Sequence, residues 1–215
     1  MSSNKNTKIA ETAVMVALSA ALALVSDVIP FLQLPLGGHV TLFSALPIIY
    51  IAVRYGCGQG FLAGFCVGVI QLLSGMMKNA AALMMEHWYE TVLMLFLDYI
   101  LAYTVYGAAG VFAKKSPSVG LTVGSVFALF LRYICHIVSG AIFFGQWAEW
   151  FFGDAEQLGG TAFGSFFLEH FSGAGLSAAY SVVYNGLYMI PEIIITAVAG
   201  FCLSRTAFVR KQLGQ

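Results

Sequence analysis

The sequence predicts an all-α integral membrane protein with six transmembrane helices and cytoplasmic N and C termini. Three observations predict it: a deficit of charge, apolar stretches of spanning length, and cations gathered on one side. Of 215 residues, 60% are hydrophobic and 9% charged, whereas a soluble domain carries roughly a quarter charged residues. Water would have to solvate a surface that this composition does not supply; lipid would not. Apolar stretches fall at roughly 8–29, 41–54, 57–76, 89–113, 119–145 and 176–204, against the ~20 residues that a spanning helix needs. With six spans, Lys5, Lys8, Arg54, Lys114, Lys115, Arg205, Arg210 and Lys211 share one face. Lys78 alone falls in an opposite loop and Arg132 lies within a span. That distribution places the cationic face inside. Glu86, Glu149, Asp154, Glu156 and Glu169 fall on the other face. An odd number of spans would spoil the division.

In chain order, lysines precede the first span with no cleavage site leading to a soluble domain, so the span reads as a retained helix in a multi-pass protein of the cell membrane. Within it Ala13, Ala17 and Ala21 recur at four-residue spacing. Such a face serves either close packing inside the protein or docking of a partner's helix. The second span is short and interrupted by Pro47. The third is glycine-rich (Gly56, Gly58, Gly60, Gly64, Gly68, Gly75), which allows close approach of helix backbones. Between the fifth and sixth spans, residues 146–175 form a long extracellular loop rich in Phe, Trp and Gly, suited to a short interfacial helix. The whole of 1–215 reads as a single transmembrane domain.

Composition and motifs exclude several functions. Zero net charge offers no field for nucleic acid. HExxH, GxSxG and Walker A sequences are absent, which argues against catalysis and ATP hydrolysis by this chain. His39, His87, His136 and His170 lack metal-ligand spacing, and Cys57, Cys66, Cys135 and Cys202 form no CxxC, so neither a metal nor a disulfide framework is expected.

Ionisable groups inside spans each need a reason. Asp98 lies in the fourth span, Arg132 and His136 four residues apart on one face of the fifth, and Asn185 and Glu192 in the sixth. One reading is an internal Asp98–Arg132 ion pair that locks two helices. The other is a polar cavity between spans four, five and six, ringed by Trp88, Tyr99, Tyr133, Phe144, Tyr180, Tyr184 and Tyr188. Rings for stacking, a carboxylate for charge and an amide for hydrogen bonds suit a planar cation.

Five segments carry a resemblance: residues 37–42 (GGHVTL), 54–56 (RYG), 97–99 (LDY), 132–146 (RYICHIVSGAIFFGQ) and 180–192 (YSVVYNGLYMIPE). Together they resemble the thiamine-specific substrate-binding subunit of energy-coupling factor (ECF) vitamin transporters. The resemblance implies six helices, an outward-side vitamin site without a cofactor, and association with a transmembrane coupling protein and two ATPases that power uptake. It implies that Asp98 is the acidic ligand residue facing the cation, with Tyr99 beside it and Trp88 covering the ligand. It further implies Arg132 at the hydroxyethyl end, His136 on the thiazolium, Phe144 as a stacking ring, and Tyr180 with Asn185 at the pyrimidine. Ala13 and Ala17 match the motif that docks on the coupling protein. Gln146 to Ala179 is longer than the family pattern, leaving Trp147 and Trp150 without assigned roles. Gly37, Gly38 and His39 are expected to form a movable lid. The resulting expectation is a non-catalytic thiamine-binding transport subunit. A subunit of the same class for another vitamin or thiamine precursor, an intramembrane enzyme and an assembly protein are the alternatives.

Overall fold

The computed structural model describes residues 5–34, 37–76 and 87–213. Lys78 and Glu86, which entered the charge argument, lie outside them. Among the described residues, five helices are long and apolar enough to cross a membrane: α1 (Lys5–Ser26), α3 (Cys57–Gly75), α4 (Trp88–Phe112), α5 (Pro117–Phe143) and α8 (Gly173–Ser204). A shorter apolar helix, α2 (Leu46–Tyr55), lies between α1 and α3. Between α5 and α8 come α6 (Ala148–Gly153) and α7 (Ala162–His170), and α9 (Ala207–Gln212) follows α8.

The burial pattern is that of a membrane protein. Val14, Leu62, Phe65, Phe130, Ile190 and Ile194 are exposed, while Arg132, His136, Asn185 and Glu192 are buried. Lipid accepts the first group, and the second must find partners inside.

Pro47 does not interrupt α2 but stands in its first turn, where its missing N–H removes no helical bond. The sequence reading of a broken span is corrected on this point. At the other end Gly56 takes φ +88, a left-handed conformation, and is the one residue between α2 and α3. Ten residues of helix rise about 15 Å, and seven of the ten are buried. Ile48, Ile49 and Ile51 accordingly belong to the central core, together with Tyr106 and Leu129.

The glycines of α3 bring α4 close. A Cβ on Gly64 would stand 2.4 Å from the Tyr103 carbonyl oxygen, and one on Gly68 2.8 Å from that of Tyr99. Helix α4 itself is irregular: it widens into a π-helical turn over Phe96–Leu101 and tightens to 3₁₀ geometry over Val105–Phe112. Helix α5 starts at Ser116, whose Oγ accepts from the Val119 N–H, with Pro117 in the first turn. It packs antiparallel on α8, with Gly140 against Ser181 and Leu121 against Gly200.

The segment between α5 and α8 holds two short helices where the sequence suggested one. Phe151 and Phe152 of α6 are buried, and Phe152 stacks on Phe167 of α7 at 4.6 Å. Phe151 meets the rings of Tyr180 and Tyr184 at 5.3 and 5.7 Å, tying this segment to α8.

Candidate ligand-binding site

A cavity opens between α4, α5, α8 and the loop after α1, lined by Gly37, Gly38, His39, Asp98, Tyr99, Tyr103, Arg132, His136, Gly140, Phe144, Tyr180, Tyr184, Asn185 and Tyr188. Asp98 lies within the π-helical turn of α4. A π turn shifts the side-chain register by one residue and is a frequent feature of functional sites. His136 Nδ1 lies 2.8 Å from Asp98 Oδ1, and the Ser139 hydroxyl donates to Asp98 Oδ2 at 2.6 Å. A carboxylate offers about four acceptor positions, so these two bonds leave capacity for a ligand.

Arg132 is turned away from Asp98. Its Nη1 donates to Glu192 Oε1 at 2.8 Å and to the Tyr106 hydroxyl at 2.6 Å. Its Nε donates to His136 Nε2 at 3.1 Å. The guanidinium carbon lies 4.7 Å from the centre of the Tyr103 ring. The direct Asp98–Arg132 pair considered from sequence is therefore not formed: Arg132 forms its ion pair with Glu192, and Asp98 is hydrogen-bonded by His136.

Asn185 is held from three sides. Its Nδ2 donates to the Ser181 carbonyl at 2.8 Å and to the His136 carbonyl at 3.2 Å, while the Tyr188 hydroxyl donates to its Oδ1 at 2.5 Å. The α5–α8 contact is thereby fixed at the cavity wall.

The loop over the cavity is anchored at several points. The Gly38 N–H donates to the Tyr184 hydroxyl at 3.0 Å, and Gln33 and His39 form an isolated antiparallel bridge. His39 Nε2 pairs with Asp27 at 2.8 Å. Farther along, Thr41 donates to Glu192 from its N–H at 3.0 Å and from its hydroxyl at 2.5 Å. Ser19 Oγ donates to the Ser44 carbonyl at 2.6 Å, and the Leu42 N–H donates to Ser26 Oγ at 2.9 Å. Between these ties Phe43 adopts φ +58, a left-handed backbone costing a bulky residue on the order of 1 kcal/mol. The surrounding hydrogen bonds hold it there.

Of the residues singled out from sequence, Asp98, Tyr99, Arg132, His136, Phe144, Tyr180 and Asn185 come together around the cavity. Trp88 does not: it starts α4, is 79% exposed, and meets Tyr89 edge-on at 6.2 Å. Ala13, Ala17 and Ala21 lie exposed on α1, while the buried face of that helix uses Thr12, Ser19, Ala20, Ala23 and Ser26. The alanine stripe is thus not spent on packing within the chain. Sequence reasoning missed Ser139, Tyr103 and Thr41. Ser139 was within reach, three residues after His136 on the same helical face.

Fold and site together define an all-α integral membrane protein with a polar, aromatic-walled cavity set among its helices. Residues 13–150 match the family model described as thiamine transporter protein (Thia_YuaJ), a range that includes Asp98, Arg132, His136 and Phe144. The chain is 32% identical to thiamine transporter ThiT of Bacillus subtilis over 211 residues, covering 93% of this chain and 91% of that one. A solved structure of ThiT from Listeria monocytogenes superposes with a TM-score of 0.59 at 21% identity, covering 94% of this chain and 97% of the other, and so shares the fold. The chain belongs to the thiamine transporter protein family.

Proposed function

We propose that this chain binds thiamine as the substrate-binding subunit of an ECF-type uptake transporter in the cell membrane. The observation that carries this reading is the Asp98 carboxylate, held by His136 and Ser139 in a cavity walled by tyrosines and Phe144. Thiamine carries a permanent positive charge on a flat aromatic ring. A carboxylate with neighbouring rings is the chemistry such a cation selects. Tyr99, Phe144 and Tyr180 supply ring surface, His136 packs on the thiazolium, and Arg132 stands at the hydroxyethyl end. Asn185 braces the wall at the pyrimidine end. Thiamine is cargo here, not a cofactor, and the chain is non-catalytic: ATP is hydrolysed by two ATPase subunits that act through a transmembrane coupling protein. The exposed Ala13–Ala17 stripe of α1 is the surface offered to that coupling protein. The chain crosses the membrane six times, with α2 counted as a span and both termini cytoplasmic, and residues 146–175 lie outside.

Calorimetric titration of thiamine into the detergent-purified chain alone tests the reading. One-to-one binding without the ATPases is the expected result. A folded sample that takes up no thiamine overturns the assignment and directs the same titration to thiamine fragments and other vitamins.

A further inference from the structure

We propose that Glu192 sets the net charge of the cavity, and with it the preference for a cationic ligand, by sequestering the guanidinium of Arg132. The inference rests on the thiamine reading and deepens it. Glu192 is fully buried and does not line the cavity. Its Oε1 accepts from Arg132 Nη1 and the Thr41 hydroxyl, and its Oε2 from the Thr41 N–H. It therefore acts on a ligand only through its neighbours, as a positioning residue.

The hydrogen bonds assign the charges. Arg132 Nε always carries a proton, so the bond it donates to His136 Nε2 requires a lone pair there. The imidazole proton then sits on Nδ1 and is donated to Asp98 Oδ1, leaving the ring neutral. Within the Asp98–His136–Arg132–Glu192 network, Asp98 and Glu192 contribute two negative charges and Arg132 one positive charge, a net of minus one that matches a monocation; the Asp27–His39 pair in the loop over the cavity lies outside this network and is the same in every variant compared below. With the Glu192 charge removed the sum is zero, and Arg132, one imidazole away from Asp98, compensates the carboxylate that the cation needs. Inside a membrane protein such compensation is only weakly screened.

The test uses the full chain and two ligands: thiamine, and its neutral isostere with thiophene in place of the thiazolium. The ratio of their dissociation constants is measured for the wild type, Glu192→Gln, Arg132→Gln and the double variant. Preference for thiamine should fall by about tenfold in Glu192→Gln, rise in Arg132→Gln, and return near the wild-type value in the double variant, whose net charge is again minus one. A merely structural Glu192 would weaken both ligands alike; an unchanged ratio in Glu192→Gln, or no restoration in the double variant, overturns the proposal. If an unpaired Arg132 prevents Glu192→Gln from folding, Arg132→Gln against the double variant reads the same quantity: the ratio must fall when the Glu192 charge is lost. A wild-type chain that binds no thiamine sinks the thiamine reading and this proposal with it. Failure of the charge proposal alone leaves wild-type affinity intact, so the two are told apart.

Discussion

Asp98 holds two protein hydrogen bonds and is still partly open, its side chain 19% accessible. Replacing it with Asn removes the charge and keeps an acceptor for His136, while the Ser139 hydroxyl, which can also accept, turns to take a hydrogen bond from the new amide N–H. Thiamine affinity in Asp98→Asn is expected to fall between tenfold and a hundredfold, the equivalent of ~1.5–3 kcal/mol for a charge-assisted contact. The melting temperature should move little. If the melting temperature collapses while residual affinity is unchanged, Asp98 is a strut of the fold and not a ligand group. At this scale the sequence was informative about which residues matter. An acid, a base, an imidazole and an amide inside apolar helices are too expensive to be incidental, and all four do meet. Their pairing was not legible. Arg132 chooses Glu192, 60 residues away on another helix, over the nearer-seeming Asp98, a choice made by how α5 and α8 face each other. Trp88 stands outside the cavity lining, because a ring's place in the chain does not say which way the start of a helix points.

Among the elements, α1 and α3 show how small residues are divided between inside and outside. Gly64 and Gly68 lie where any side chain would strike the α4 backbone, so the glycine spacing predicted a real contact. Ala13 and Ala17 have the same kind of spacing but lie exposed on α1. Ala17→Trp is expected to leave thiamine binding to the purified subunit unchanged and to abolish uptake in cells that carry the coupling protein and ATPases. Undiminished uptake with the bulky side chain in place would show that α1 docks nothing at this point. The π-helical turn that carries Asp98 and the start of α2 at Leu46, with Pro47 in its first turn, were both hidden from sequence periodicity. The first departs from the 3.6-residue repeat by one residue only, and the second turns on which side of a proline the helix lies.

For the whole molecule, the orientation proposed from the division of charge is measurable. With Cys57, Cys66, Cys135 and Cys202 replaced by alanine, a cysteine at Glu156 should react with a membrane-impermeant maleimide on intact cells. One at Lys114 should react only after permeabilisation. The opposite pattern would invert the topology. Five of the six apolar stretches correspond in order to the helices of spanning length, because bilayer thickness imposes a length on each; the sixth, 41–54, holds only the ten-residue α2. The apolar pattern gave no account of how the 146–175 segment returns to α8 through Phe151, since ring-to-ring packing across loops has no periodic signature. Helix α2 carries a consequence for how the protein is made. Ten residues rising about 15 Å fall well short of the ~30 Å hydrocarbon layer, and Arg54 stands at the end of the helix. Such a segment has no strong tendency to leave the translocation channel for lipid on its own. On the six-span topology proposed above, α2, joined to α3 by Gly56 alone, is expected to enter the bilayer as the lesser arm of a hairpin, after α3 has emerged from the ribosome. That topology therefore predicts that membrane integration proceeds, at that point, two helices at a time.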